Sequence, residues 1–297
     1  MTQNAETGQA TSPPTETVPY AEPPDFDIPM EVCHFYHHMD LPGIGEVGSG
    51  WDLRDTVDDY LGRLDFKGKR VLDVGTASGF LTFAMEARGA EVVSFDMAEP
   101  QHWNVVPYRD PRFETERIAE STDFMNQAVR YSYWFAHKRM ESRAKVFYGD
   151  LYSGLPEGLG RFDIAVLGMI LPHLRDPFQA LHSVSRLLPD TIVVTQQCPQ
   201  GDSPHAVFLP TPDADPKAVE AYFGWWVLSE TCLTNMLGVL GYEVTSVTRA
   251  MHRVTLRSQS APPPPPRGRL PWRRRPAQGG ASNEMEECSA IVAVRKD

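Results

Sequence analysis

RVLDVGTASGF, residues 70–80, is an apolar run that reaches a glycine and then, four positions on, a second glycine before a helix-forming stretch. The run is short and β-branched, as expected of a parallel strand buried on both faces. The turn Gly75-Thr76-Ala77-Ser78-Gly79 is too tight for side chains at its ends, so a ligand there meets bare backbone. The helix expected over 79–88 stops at Gly89, a natural residue for the position after a helix end. Its N-terminal N–H groups and positive dipole end face whatever lies over the turn.

Outward from this unit the pattern repeats. EVVSFD (91–96) reads as the second strand, and 116–140 as a long amphipathic helix with Phe124, Ala128, Tyr131 and Phe135 on one side. KVFYGD (145–150) and FDIAVLG (162–168) are the third and fourth strands. A helix over 177–188 leads to TIVVTQQ (191–197). Ser229 can cap a helix striped by Leu233, Met236, Leu237 and Leu240 and ended by Gly241. YEVTSVT begins a sixth strand and ECSAIVAVR (287–295) forms a seventh. Strands alternating with helices of this length predict an α/β, doubly wound, Rossmann-like sheet with helices on both faces.

The spacing of the turn selects a cofactor. A dinucleotide fingerprint G-x-G-x-x-G needs glycine at 77 and 80, where Ala77 and Phe80 stand, so an NAD-dependent oxidoreductase is disfavoured. The pattern D-x-G-x-x-x-G is met by Asp73, Gly75 and Gly79, and an acid inside the strand suits a cofactor with a cationic amino-acid end and no pyrophosphate. Asp96, 21 residues beyond Gly75, stands where a carboxylate hydrogen-bonds both ribose hydroxyls. Thr76, Ala77 and Met97 belong to the same expected site. Asp150 and Leu151 close the third strand beside an adenine, with a solvated turn as the plainer reading of Asp150. Gly168 and the residues to His173 would line the cofactor's other face.

Histidine suits proton removal at neutral pH. Of His34, His37, His38, His102 and His173, the last is best placed to act on an acceptor, the plainer reading being that it braces its loop. Neighbouring His37 and His38 seldom both face one ion, so no metal is expected. Aromatic clusters at Trp103 and Tyr108, at Tyr131, Tyr133 and Trp134, and at Tyr222, Phe223, Trp225 and Trp226 are expected to be mostly core, with some walling an apolar acceptor pocket.

YHHMDLPGIGEVGSGWDLR (36–54), LDVGTASGF, AVLGMILPHLRDPFQAL (165–181) and the terminal AIVAVRKD together resemble bacterial class I methyltransferases related to the tRNA wobble-uridine 5-oxyacetate methyltransferases. The resemblance spans roughly 34–256 and 287–297. It implies S-adenosylmethionine as donor and a seven-stranded sheet, order 3-2-1-4-5-7-6, with strand seven antiparallel. It also implies that Trp51 and Arg54 lie in a cofactor lid, Trp51 packing over the cofactor and Arg54 pairing with its methionine carboxylate or a nearby acid. The tRNA enzymes use a carboxylated donor, read by a lysine, a tyrosine and an arginine. Here no lysine precedes Lys67, Pro172 takes the tyrosine's place and Ser289 lies near the arginine's. An extra carboxylate buried without partners costs several kcal/mol. Ordinary S-adenosylmethionine and a small-molecule acceptor methylated on O or N are therefore expected.

Composition bounds the remaining readings. A net charge of −11 repels phosphate backbones and disfavours a nucleic-acid partner, against an RNA-modifying alternative. A catalytically silent cofactor-binding partner protein is a third reading. Cys33, Cys198, Cys232 and Cys288 form no CxxC pair. No run reaches the roughly 18–20 apolar residues of a membrane span, and MTQNAETGQA lacks the features of a secretory signal, so a cytoplasmic protein is expected. Residues 1–30, proline-rich and acidic without a base, read as a disordered tail. Residues 31–297 read as one domain, interrupted at 258–280 by a disordered segment of prolines and five arginines that could meet an anionic or proline-reading partner.

Overall fold

A computed structural model describes residues 20–98, 104–218, 220–256 and 282–296. In chain order the elements are β1 Met39–Leu41, β2 Gly45–Val47, β3 Trp51–Asp52, α1 Val57–Tyr60, β4 Arg70–Val74, α2 Phe80–Ala87, β5 Glu91–Met97, α3 Thr115–Arg139, β6 Lys145–Gly149, β7 Ile164–Gly168, α4 Pro177–Ser185, β8 Thr191–Gln196, β9 Ala206–Phe208, α5 Glu220–Phe223, β10 Trp226–Leu228, α6 Glu230–Val239, β11 Tyr242–Leu256 and β12 Ser282–Arg295.

The main sheet runs β3-β11-β12-β8-β7-β4-β5-β6. Strands β6, β5, β4, β7 and β8 are parallel, and β12 is antiparallel to both β8 and β11. This is the expected strand order with one addition: the two-residue β3 pairs with Arg253 and Val254 on the outer edge of β11, making eight strands. Alternate residues of the central strands feed two apolar layers. Val71, Val92, Val166 and Val193 pack with Tyr60, Phe80, Phe83 and Tyr133 from α1, α2 and α3. Leu72, Val74, Val93, Leu167 and Val194 pack with Leu181, Val184, Leu233 and Leu237 from α4 and α6. Each fully buried Leu or Val contributes about 1.5–3 kcal/mol relative to exposure.

Successive parallel strands step outward from β4 in one direction through β5 and β6, and in the other through β7 and β8. The order reverses between β4 and β7, and a crevice opens beyond the carboxyl ends of a sheet at such a point. Caps place the helices as their sequences direct. The Ser229 hydroxyl accepts from Cys232 N at 3.1 Å, Asp176 accepts from Gln179 N at 2.9 Å, and Gly89 and Gly241 take φ of +90° and +88°.

Three expectations change. In the expected α3 stripe Ala128 and Phe135 are buried and Tyr131 is partly so, but Phe124 is exposed, and burial also takes in Ile118, Ser121, Thr122 and the whole run from Ser132 to Ala136. Of the tail, residues 20–30 lie along the fold: Ala21 N bonds Val146 O at 2.8 Å, Phe26 meets Tyr131 edge-on, and Asp27 pairs with Lys138. Their aromatic and apolar contacts outweigh the prolines that flavour the composition. A β1–β2 hairpin and a separate β9–β10 pair stand in segments that carried no expected element. Residues 1–19, His102, Trp103 and the 258–280 segment lie outside the described residues.

Candidate active site

The body of β4 is buried, and the backbone then turns through three residues with positive φ: Gly75 at +81°, Ala77 at +48° and Gly79 at +90°. Gly75 N and Thr76 N both donate to Phe95 O, at 2.9 and 3.2 Å, which holds the turn against β5. Glycine is required by space as well as by dihedral. A Cβ on Gly75 would stand 2.6 Å from Ile170 Cδ1, and one on Gly79 2.6 Å from Phe83 Cε2 and 2.9 Å from Tyr133 Cδ2.

Asp96, at the end of β5, reaches back to this turn. Its Oδ2 accepts from Ala77 N at 2.9 Å and its Oδ1 from Met97 N at 2.8 Å. Burial raises its pKa, while the two N–H groups and Arg130 oppose the rise. Each carboxylate oxygen still has a second lone pair for a ligand. Asp73 is fully buried. Its Oδ2 accepts from Thr82 Oγ1 at 2.6 Å and its Oδ1 has no hydrogen-bond partner. Burial pushes its pKa up to about 6, against hydrogen bonds from Thr82 and Thr76.

The carboxyl ends of the strands are partly accessible. Gly75, Ala77, Asp96, Met97, Asp150, Gly168, Met169 and Ile170 are all half-buried, while the strand bodies beneath them are sealed. Asp150 caps its own turn, accepting from Tyr152 N at 2.9 Å and Ser153 Oγ at 2.5 Å. The Leu151 side chain is buried in the core, which leaves only its backbone for a ligand. Gly168 packs tightly, since a Cβ there would meet Leu81 Cδ1 at 2.9 Å and Tyr60 Cε1 at 3.1 Å.

His173 ends a 3-10 turn, Leu171–His173, directly after β7. Its Nδ1 lies 3.1 Å from the Phe223 carbonyl oxygen. A carbonyl only accepts, so Nδ1 carries the proton and Nε2 presents a lone pair. The ring is open to solvent yet desolvated, as on a cleft wall. That desolvation lowers its pKa, and the Phe223 carbonyl works the other way. His173 is therefore neutral at pH 7.

A strap and a cap complete the surroundings; their segments were singled out in the sequence, but the contacts that tie them down were not. Tyr36 N and His37 N both approach Ser78 Oγ, at 3.1 and 3.4 Å, tying residues 34–38 to the glycine turn. His37 stacks on Phe80, its pKa driven down to about 4 by burial and then by His38. Trp51 joins this strap: its carbonyl accepts from His38 N at 2.8 Å and its side chain hydrogen-bonds Tyr36. The cap is a third apolar cluster of Val105, Phe113, Ile118 and Tyr222, with Tyr108 stacked on Phe113 at 3.8 Å. Trp225 N donates to Pro172 O, and Tyr152 Oη to Asn104 Oδ1, so the cap spans the same sheet edge.

Arg54 stands apart from the turn. Its guanidinium is held by Asp52 at 2.8 Å, Asp40 at 3.1 Å and Glu46 at 3.0 Å. This is the acid-paired branch of the expectation for it, and it leaves the lid arginine engaged without a cofactor carboxylate. Arg54 holds the Asp52 carboxyl down to about 2, and Arg253 adds a bond at 3.1 Å. A depressed carboxylate stabilises the fold above its unfolded pKa and loses that contribution as pH falls through the folded value. Asp52→Asn should thus lower stability by about 1–2 kcal/mol at pH 7, with the deficit shrinking between about pH 4 and 2 in urea unfolding series.

A family model described as a methyltransferase domain matches residues 51–247. Among solved structures, the chain is similar to the 1,6-didemethyltoxoflavin-N1-methyltransferase of Burkholderia thailandensis. Identity is 16 %, with 82 % of this chain and 78 % of that one covered, at a TM-score of 0.47. It is also similar to the magnesium protoporphyrin IX methyltransferase of Synechocystis PCC 6803, at 14 % identity, 82 % and 83 % coverage and a TM-score of 0.44. No curated protein sequence matches the chain.

Proposed function

This chain belongs to the methyltransferase domain family, and we propose that it moves a methyl group from S-adenosylmethionine to an oxygen or nitrogen of a small-molecule acceptor. The observation that carries the reading is the glycine turn Gly75 to Gly79 at the point where the strand order reverses between β4 and β7, with Asp96 bound to the turn and His173 just after β7. The residues fit the cofactor on two counts. The turn admits no side chain at Gly75, where a Cβ would meet the movable tip of Ile170 at 2.6 Å, and the unpaired Asp73 Oδ1 leaves negative charge beneath the turn, which favours a cationic ligand above it.

Bound there, the cofactor supplies a methyl group already activated by its sulfonium charge. The chain's own work is to align the acceptor and keep out water. Asp96 keeps lone pairs for the two ribose hydroxyls while its other bonds pin the turn. Tyr36 and Trp51 roof the turn from the strap. The His173 Nε2 lone pair takes the proton that an O–H or N–H acceptor must lose, and Phe223 fixes the tautomer that allows it.

Two features support a small acceptor and the ordinary donor. The aromatic cap is tied to the sheet edge after β7, which suits a flat or apolar molecule better than a duplex or folded RNA. At the position near the wobble-uridine group's carboxylate-reading arginine, the Ser289 hydroxyl donates to Glu230 at 2.6 Å, and the neighbouring Arg249 is taken up by the same carboxylate. Among the described residues no free cation stands there to read an extra donor carboxylate, so our reading keeps the kinship with that group but not its donor. No helix among the described residues is long and apolar enough to cross a membrane. Incubation with methyl-labelled S-adenosylmethionine and metabolite extract, followed by mass spectrometry, tests the proposal. A product heavier by one methylene supports it. Saturable donor binding without any labelled product would instead indicate a silent cofactor-binding protein.

A further inference from the structure

Beneath the glycine turn lies a chain of hydroxyl groups to which the mechanism above gives no task. Tyr133 on α3, Ser94 on β5, Thr82 on α2 and Asp73 on β4 come from four elements and are all sealed from solvent. Tyr133 Oη is 2.9 Å from Ser94 Oγ, which is 2.7 Å from Thr82 Oγ1, which is 2.6 Å from Asp73 Oδ2. Thr76 Oγ1 joins at 2.9 Å from Thr82 Oγ1.

The direction of each proton from Tyr133 to Asp73 follows from the end of the chain. An ionised carboxylate only accepts and each hydroxyl has one proton to give. Thr82 therefore donates to Asp73, Ser94 donates to Thr82 and Tyr133 donates to Ser94, while Thr76 has one proton to give, to Thr82 or to Asp73 itself. Hydrogen bonds aligned in this way polarise one another, so the phenol strengthens the last bond from three residues away. Tyr133 also touches the turn directly, its ring lying against Gly79 and Phe83. A phenylalanine would fill the same space without burying a polar group, so packing alone does not call for the hydroxyl.

We propose that Tyr133 is a positioning residue for the methyl donor: through Ser94 and Thr82 it holds the Asp73 carboxylate ionised and oriented under the glycine turn. The inference rests on the donor site proposed above. It adds that α3, whose Tyr133 ring packs against Gly79, also bears on the turn's electrostatics through the phenol. The Asp73 carboxyl already titrates at about 6 because of burial, with the Thr82 and Thr76 bonds holding it down. Weakening the chain lets it rise further. Other ionisable groups around this pocket are Asp96 on β5, Tyr60 on α1, Glu86 on α2, His137 on α3 and Tyr148 on β6. The readout is therefore the difference between wild type and variant rather than the absolute profile.

The test is calorimetric titration of the full chain with S-adenosylmethionine from pH 5 to 8, for wild type, Tyr133→Phe and Ser94→Ala. Binding weakens in acid as Asp73 takes up its proton. In Tyr133→Phe the affinity at pH 7.5 should fall about three- to tenfold, the loss of one hydrogen bond in a network, and the midpoint of the acid limb should move to higher pH. Ser94→Ala should move it in the same direction without altering the ring contact, which keeps the test decisive if Tyr133→Phe folds poorly. Equal weakening at every pH, or profiles superimposable on wild type, would overturn the inference. A wild-type protein that fails to bind the donor at any pH would instead overturn the donor-site reading.

Discussion

Asp96→Ala is expected to raise the Kd for S-adenosylmethionine at least about a hundredfold, the loss of two hydrogen bonds to a charged acceptor at roughly 1.5–3 kcal/mol each. The same substitution frees Ala77 N, which the Asp96 Oδ2 holds at 2.9 Å. Ala77 sits at φ +48°, a conformation an alanine adopts only when its surroundings impose it. The variant therefore loses a ligand contact and relaxes the turn, and both effects act in one direction. The sheet pairing of β5 with β4 and β6 does not depend on the side chain, so the far-UV circular dichroism should be unchanged. Gly75→Val should match the loss of binding but at a cost in stability as well. Ile170 Cδ1 is the tip of a flexible side chain and could move aside, but a β-branched residue at φ +81° is strained wherever that side chain goes. Calorimetry showing wild-type affinity in Asp96→Ala would remove this crevice as the donor site.

The contrast between the two variants shows what spacing can and cannot reveal. Asp73, Gly75, Gly79 and Asp96 lie within 24 residues, on two strands that must be neighbours, so their convergence was legible from sequence alone. Alternation of strands and helices gave the doubly wound class, whereas the strand order came only from the family resemblance, because alternation does not say on which side of β4 each strand is laid. Long-range contacts left no such signal. Ser78 gathers Tyr36 and His37 from about forty residues away, and β3 is two residues long, too short for any periodicity. The α3 stripe held at Ala128 and Phe135 but not at Phe124, and it missed that 132–136 is buried all round, with its polar members satisfied: Ser132 bonds its own helix at 2.8 Å and Tyr133 bonds Ser94 on β5. Arg54 was read as a cofactor ligand or an acid's partner, and only three-dimensional packing brings Asp40, Glu46 and Asp52 to it. His173 was legible as a residue near the reacting edge, but not its tautomer, which depends on a carbonyl fifty residues later.

That tautomer carries the other large effect. With Nδ1–H committed to Phe223, removal of the ring in His173→Ala should lower kcat about 10²- to 10³-fold, the range of a lost general base, while the Kd for the donor stays within about twofold. The pH dependence gives an independent reading. Desolvation lowers the His173 pKa below its ordinary value of 6.5, so Nε2 keeps its lone pair well below neutrality. The acid limb of kcat in the wild type should accordingly fall below pH 6.5 and vanish in the variant. Because protonation of Asp73 weakens donor binding in the same region, the comparison requires saturating S-adenosylmethionine at each pH, where kcat reports the bound complex and the donor site's own titration drops out. His173→Gln sharpens the result, since a glutamine amide can still donate to the Phe223 carbonyl and brace the loop but cannot accept a proton at neutral pH. If His173→Gln keeps wild-type kcat and its acid limb, the histidine only braces the loop against Phe223, and the acceptor loses its proton to solvent or to no base at all.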